Sequence, residues 1–278
     1  MAAHDMLEVA AHGSRPAGKA RRLVVTWQHP NERRIEPIGF LSHDEGGLYQ
    51  FAYIRNAFTV KDFRPLLGFS DLREVYSSPD LFPLFAQRVM DPRRPDYQRY
   101  VKQLGLSEEE ATPWEQITRS QGRRQGDTIQ LLPVPVTDGD TLACFFLVHG
   151  VRWVPFKARI LDGRRIEVTS EQVEQALGHL RDGDALGLSP EPQNEFNSLA
   201  IMVTGPSVTP VGWVPNLMVE DLHHLMVRAG VDVTVAKVNG PDAPWHMRLL
   251  ARLTARPAGD FRFFTGRQWE PIAAGSPQ

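Results

Sequence analysis

The sequence predicts an α+β protein in two parts: a small α+β domain, then a mostly β domain that forms a small, partly open β-barrel with one or two packed helices. Three observations predict it. Strand-like and helix-like stretches alternate in the first half, strand-like stretches predominate in the second, and a turn cluster flanked by prolines separates the halves. A chain of 278 residues favours two domains over one large core.

The boundaries follow from where the apolar periodicity stops. The turn cluster Thr137-Asp138-Gly139-Asp140 separates two apolar runs, and we place the junction at residue 139. The first residues are small, polar and basic, which is typical of a loose arm. The predicted segments are an arm over 1–22, an α+β domain over 23–139, a barrel domain over 140–258 and a tail over 259–278.

In the first half, two alternating apolar runs around Asp44-Glu45-Gly46-Gly47 predict a β-hairpin over 37–54. The stretch "SPDLFPLFAQRVM" predicts a helix with Ser78 as N-cap and Pro79 at its first position. A second helix, "PDYQRYVKQLGL", is expected to stop at Gly105, and a third begins in "SEEEATPWEQI". The strand "DTIQLLPV" closes this half.

In the second half, the buried strand "FFLV" runs into Gly150 and the pair Arg152-Trp153. Thr169 and Gln172 form a capping box at the start of an amphipathic helix. Further strands are expected on both sides of the loop "EPQNEFN" and in "PVGW", "VDVTVAKV" and "WHMRLLARLTA", with a second helix that ends at Gly230.

Composition excludes several classes of function. The formal net charge is −2, so no overall positive field attracts nucleic acid or an anionic membrane, and such binding has to be local. A single cysteine, Cys144, excludes a disulfide framework and a cysteine-ligated zinc site. With no apolar run that could span a bilayer and no signal-peptide pattern, the sequence predicts a cytoplasmic protein that does not contact membranes.

The order of elements in the first half resembles the small N-terminal domain of HipA-type kinases. The resemblance covers the hairpin, the "FAY" strand, the "LFPLFAQRVM", "YVKQLGL" and "PWEQI" helices and the "GDTIQLLP" strand. That domain normally precedes a kinase core, but residues 140–278 contain no phosphate loop, no catalytic Asp loop and no metal-binding Asp motif. A generic α+β domain with a coincidental order is the alternative.

Four motifs of the second half resemble the HIRAN domain. They are "GVRW", "EPQNEFNSLAI", "VGWVP" before a helix, and "PWHM" near the end. The resemblance implies an OB-like or SH3-like barrel that captures the 3′ end of single-stranded DNA. In such a site an aromatic ring stacks on a base and an acidic side chain meets the terminal hydroxyl.

Carried over residue by residue, the resemblance implies a nucleic-acid site. Asn197 stands where the family has its hydroxyl-binding acid, and Val154 replaces a second aromatic residue, so recognition of the 3′ end is in doubt. An amide can still accept a hydroxyl proton, but it lacks the strength of a charged acceptor. The implied set is Arg152, Trp153, Lys157, Asn194, Phe196, Asn197 and Trp213.

Structural roles are the alternative for several of these residues. Trp153 and Trp213 fit half-buried positions at the mouth of a barrel, and Arg152 could pair with Glu191 or Glu195. Asn194 could hold the turn through an Asx hydrogen bond, which is compatible with ligand binding nearby.

Catalysis has little support in the sequence, and no metal or cofactor is expected. His223 and His224 are adjacent on a helix and so point in different directions, His149 fits a satisfied strand histidine, and Cys144 is expected to be buried and inert. Two basic clusters could bind phosphates or could be ordinary solvated loops. They contain Arg93, Arg94, Arg123 and Arg124.

The sequence therefore favours a non-enzymatic protein that binds single-stranded DNA through its second half, with an accessory interaction domain in its first half. The alternative is a regulatory, antitoxin-like partner of a separately encoded HipA-like kinase, which would dock on residues 23–139.

Overall fold

The computed structural model describes residues 21–124 and 126–272. It is a mixed α+β fold with two main antiparallel sheets. The first sheet has the order β4-β3-β2-β1-β5. Its strands are β1 (Arg22–Gln28), β2 (Ile35–His43), β3 (Tyr49–Tyr53), β4 (Val75–Ser78) and β5 (Ile129–Pro133).

The predicted hairpin is confirmed as β2 and β3, which pair from Gly39 with Tyr53 to His43 with Tyr49. Gly47 takes a φ of 82° in the turn, which an L side chain rarely adopts, whereas Gly46 has no positive φ.

The helices of the first half are α1 (Pro83–Ala86), α2 (Tyr97–Gln103) and α3 (Pro113–Ser120). The predicted start of the first helix is wrong, because Ser78 pairs with Tyr49 as the last residue of β4. Phe82 is extended, as expected of a residue before proline, so the helix begins only at Pro83. The end of α2 is as predicted: Gly105 follows it with a φ of 68°.

The second half contributes a seven-stranded sheet with the order β12-β11-β10-β13-β14-β7-β6. The helices and strands of the second half are, in chain order, β6 (Val136–Asp138), β7 (Thr141–Leu147), β8 (Arg159–Leu161), β9 (Arg164–Ile166), α4 (Ser170–His179), β10 (Ala185–Pro190), β11 (Ile201–Thr204), β12 (Pro210–Trp213), α5 (Val219–Arg228), β13 (Val231–Val238) and β14 (Leu249–Ala255). Strands β8 and β9 pair with each other as a separate hairpin. The capping box of α4 is confirmed: Thr169 and Gln172 satisfy each other's backbone N–H groups.

This sheet curves so that the end of β12 comes next to the end of β7. His149, just past β7, and Trp213, at the end of β12, exchange two backbone hydrogen bonds of 2.8 and 2.9 Å. No longer ladder joins β7 to β12 within the described ranges. The OB-like and SH3-like assignments remain predictions.

The two sheets share a core. One face of the first sheet packs on its own helices, and the other face, with Val24, Phe40 and Leu132, packs against the apolar residues of the second half. The alternation of side chains along each strand divides the residues between these two faces. The chain passes from one sheet to the other at 134–135, so β6 already pairs with β7 before residue 139.

Residues 259–272, which the sequence indicated as a tail, pack against both sheets. Phe263 and Phe264 are buried in the shared core, and the Ile272 N–H donates to the Tyr53 carbonyl at 2.8 Å. No helix in the described ranges is long and apolar enough to cross a bilayer.

Candidate nucleic-acid interface

The loop after β10 is organised by one buried carboxylate, Glu191, which is only 3 % exposed. Its Oε2 accepts hydrogen bonds from Trp213 Nε1 at 2.8 Å and from Asn194 Nδ2 at 2.7 Å. Its Oε1 accepts from Arg159 Nη1 at 3.3 Å. Three donors from three parts of the chain thus converge on one acid, which satisfies a charge that would otherwise be costly to bury.

Asn194 then shapes the tip of the loop. Its Oδ1 accepts from the backbone N–H groups of Phe196 at 3.0 Å and Asn197 at 3.2 Å, the predicted Asx-type turn. Asn197 Oδ1 accepts in turn from the Leu199 N–H at 2.9 Å. These bonds hold Phe196 outward, and its side chain is 93 % exposed.

Trp213 belongs to the framework of this loop. Besides its bond to Glu191, its ring lies under the Arg159 guanidinium, 5.0 Å from the ring centroid. Gly150, with a φ of 69°, touches the same ring, and a Cβ there would lie 2.6 Å from Cε3. The half-buried position that the sequence offered as an alternative for Trp213 is therefore the one observed. Residue 150 has to be a glycine because any larger residue would clash with the Trp213 ring.

A short 3₁₀ segment, Val151–Phe156, presents two more aromatic rings. Its Val151 and Val154 point into the core, whereas Trp153 is 50 % and Phe156 74 % exposed. The two exposed rings lie 5.3 Å apart with a 52° interplanar angle. An ion pair between Lys157 and Glu195 brings this segment beside the loop of Phe196. We call Trp153, Phe156 and Phe196 the aromatic surface.

Some charged side chains around the aromatic surface form ion pairs, whereas Arg152 does not. Hydrogen bonding to Lys157 lowers the pKa of Glu195, and Arg159 is paired with Glu191. Arg152 forms neither of the ion pairs that were considered for it: its guanidinium lies 4.4 Å from the Trp153 ring centroid. Among the described residues, Arg152 has no carboxylate partner, so its charge is available to a ligand.

Comparison with known proteins finds matches among solved structures. No family model and no curated protein matches the chain. Among solved structures, a protein from Lactobacillus plantarum is similar over 41% of this chain and 96% of its own, with 18% identity and a TM-score of 0.29. The HIRAN domain of human HLTF is similar over 41% of this chain and 72% of its own, with 13% identity and a TM-score of 0.25. Scores this low carry no argument about the site, and the resemblance to HipA-type kinases gains no support.

Sequence reasoning missed three residues of this region. Phe156 and Trp245 are exposed aromatic residues, and the segment Trp245–Met247 contacts the one that carries Trp153. Trp245 lies in the "PWHM" motif, so its signal was present in the sequence. Glu191 was considered only as a partner of Arg152, because a glutamate in a polar loop ordinarily lies at the surface.

The remaining titratable candidates offer no catalytic grouping. Burial raises the pKa of Cys144 to about 12, so the thiol stays protonated. Burial, then the charges of Arg123 and His246, lower the pKa of His149 to about 3. His223 bonds the Leu199 carbonyl at 3.0 Å. Within the described ranges, no three His, Cys, Asp or Glu side chains are grouped to hold a metal ion.

Proposed function

We propose that this protein binds single-stranded nucleic acid, in the first instance DNA, without catalysing a reaction. The observation that carries the proposal is the aromatic surface, three exposed rings on segments held by the buried Glu191 framework. Exposed aromatic groups in such number are costly in water and typical of binding sites. Bases stack on such rings for about 1–3 kcal/mol each, whatever the sequence.

In this proposal, Trp153, Phe156 and Phe196 stack on bases and Arg152 binds a phosphate beside them. Arginine suits this role because its planar guanidinium can donate two hydrogen bonds to phosphate oxygens. Asn194 and Trp213 act as scaffold, since their polar groups are occupied by Glu191. The four motifs that resemble the HIRAN domain add support, and with them an OB-like or SH3-like barrel is proposed for the second half.

The decisive experiment is a fluorescence anisotropy titration with labelled single-stranded and duplex oligonucleotides of equal length. Trp153→Ala and Phe196→Ala should each weaken single-strand binding by about 1–3 kcal/mol, roughly 5- to 150-fold. The melting temperature should stay unchanged, because both side chains are exposed.

The matched control is Leu67→Ala, an exposed apolar residue of the first half that should leave binding unchanged. Unchanged affinity in both aromatic variants would remove the aromatic surface from the site. Tighter binding to duplex than to single strands would overturn the proposed substrate.

A second candidate is a regulatory partner of a HipA-like kinase that docks through the first half. Exposed Leu67 and Val75 support it, because Val75 lies on β4, an edge strand whose free backbone groups could pair with another chain. Failure of the protein to bind any oligonucleotide would favour this candidate.

A further inference from the structure

The four arginines of the two basic clusters differ in their surroundings. Three have partners that compete with any ligand: Arg93 pairs with Asp91 at 2.6 Å, Arg94 with Asp96 at 3.0 Å, and Arg124 bonds Gln87 Oε1 at 3.2 Å. The side chain of Arg123 makes no hydrogen bond, ion pair or ring contact with the described part of the chain. Of these four arginines, Arg123 therefore differs in having no partner among the described residues.

Arg123 is also partly buried, and burial lowers its pKa without any carboxylate to oppose the effect. Several other enclosed arginines have a counter-group or an aromatic ring: Arg88 has Asp127, Arg159 has Glu191, Arg248 has Glu174, and Arg22 lies over the ring of Phe40. Arg252 differs, since its Nε is buried without a hydrogen-bond partner. A cation removed from water without a partner is destabilising. An anion that bound there would offset this cost.

Two histidines face the same region. Gln121, at the end of α3 with a φ of 55°, places its Oε1 3.1 Å from His149 Nε2, and this contact fixes the turn that carries Arg123. Burial and the charge of Arg123 lower the pKa of His246 to about 4, and both also act on His149. We call Arg123, His149 and His246 the Arg123 cluster.

The cluster adjoins the aromatic surface. His246 follows Trp245, whose ring is half-exposed, and the segment Trp245–Met247 contacts the segment of Trp153. Gln121, two residues before Arg123, bonds His149, which lies four residues before Trp153, so Arg123 and Trp153 lie on segments joined by this contact.

We propose that Arg123 binds a phosphate group of the strand that stacks on the aromatic surface, with the imidazole of His246 as a hydrogen-bond donor. This inference rests on the proposed function and extends it, because the first half of the chain then contributes directly to the binding site. A free phosphate has the same chemistry as a phosphodiester, so the test separates the two sources.

The test compares Arg123→Gln with the native protein and with Arg124→Gln, the neighbouring exposed arginine, as control. A labelled single-stranded oligonucleotide is titrated at several salt concentrations. Arg123→Gln should weaken binding about tenfold at low salt, and the slope of log affinity against log salt should become shallower by about 0.7, the value for one phosphate contact on a single strand. Arg124→Gln should change affinity less than about twofold.

Arg123→Lys keeps the charge and should keep the native salt slope, which shows that a loss in Arg123→Gln is electrostatic and not a folding defect. In parallel, the pKa of His246 is followed by NMR of its ring proton as inorganic phosphate or the oligonucleotide is added. An anion beside the imidazole should raise that pKa in the native protein but not in Arg123→Gln.

The outcomes are distinguishable. If the native protein binds the oligonucleotide and Arg123→Gln has the same affinity and salt slope, the inference is overturned and the proposed function stands. If no oligonucleotide binds but inorganic phosphate raises the pKa of His246, Arg123 is an anion site and its assignment to a strand is overturned together with the proposed function. If neither ligand has an effect, both proposals fail.

Discussion

Glu191→Gln tests whether one carboxylate holds the candidate site together. Glutamine has the same shape, but only one of its two terminal atoms can accept a hydrogen bond. In the native loop, Trp213 Nε1, Asn194 Nδ2 and Arg159 Nη1 all donate to the Glu191 side chain. If the amide oxygen replaces Oε2, the amide NH₂ points at the guanidinium of Arg159 and leaves that cation unpaired.

The size of the effect follows from burial. Breaking a buried ion pair by removing one partner costs about 3–5 kcal/mol. The Arg159 side chain is 15% exposed and lies over the Trp213 ring, so part of its charge stays solvated. The expected loss in free energy of unfolding is therefore somewhat smaller, about 2–4 kcal/mol. For a chain of this size, that corresponds to a fall in melting temperature of about 5–10 °C.

Urea unfolding at 25 °C measures the loss, and Glu195→Gln is the matched control. Glu195 lies four residues further along the same loop and pairs with Lys157 at the surface, so its substitution should cost less than about 1 kcal/mol. A Glu191→Gln variant whose free energy of unfolding lies within about 0.5 kcal/mol of the native value, the error of such measurements, would refute the assignment of Glu191 as the organising residue.

Two further predictions concern protonation and the 3′ end. Between pH 6.5 and about 4, the unfolded chain takes up protons at His149 and His246 whereas the folded chain does not, so the free energy of unfolding should fall as the pH drops, by up to about 1.4 kcal/mol per pH unit for each histidine. His149→Gln should lose about half of that dependence, and an unchanged pH profile of urea unfolding would argue against a neutral, enclosed His149. Asn197→Asp should introduce a preference for a free 3′ hydroxyl over a 3′ phosphate, because a carboxylate repels the phosphate and the native amide does not. If the native protein already prefers the hydroxyl about tenfold and the variant matches it, Asn197 does not lie at the end of the strand.

Features set by neighbouring residues were predicted well from the sequence. The capping box of Thr169 and Gln172 and the hairpin turn at Gly47 need only a few adjacent residues, and both are present. The first helix was misplaced because Pro79 and Pro83 both fit a first helical position, and only the pairing of β4 with β3 decides between them. The β8–β9 hairpin was missed because its sequence is charged rather than alternating.

The roles of the predicted site residues depend on contacts between distant parts of the chain, which no local sequence pattern shows. Arg159 and Glu191 are 32 positions apart, and Glu191 and Trp213 are 22 apart, so no local pattern reveals their bonds. Trp153, Phe156 and Phe196 share exposure, which depends on how the loops pack. Whether Arg152, Trp153, Lys157, Asn194, Phe196, Asn197 and Trp213 bind a ligand stays a prediction.

The polar loop "EPQNEFN" has a physical explanation whether or not a strand binds to it. A loop that enters the buried strand β11 must satisfy its own backbone groups, and Asn194 and Asn197 do so through turns. Glu191 then ties the loop to Trp213, whose backbone is bonded to His149, and His149 is bonded to Gln121 beside Arg123. The loop of Phe196 and the turn of Arg123 are therefore joined by one chain of hydrogen bonds. Rigid attachment lowers the entropy that a flexible ligand site would lose on binding, so under the proposed function this framework would favour contact of a single strand with both positions.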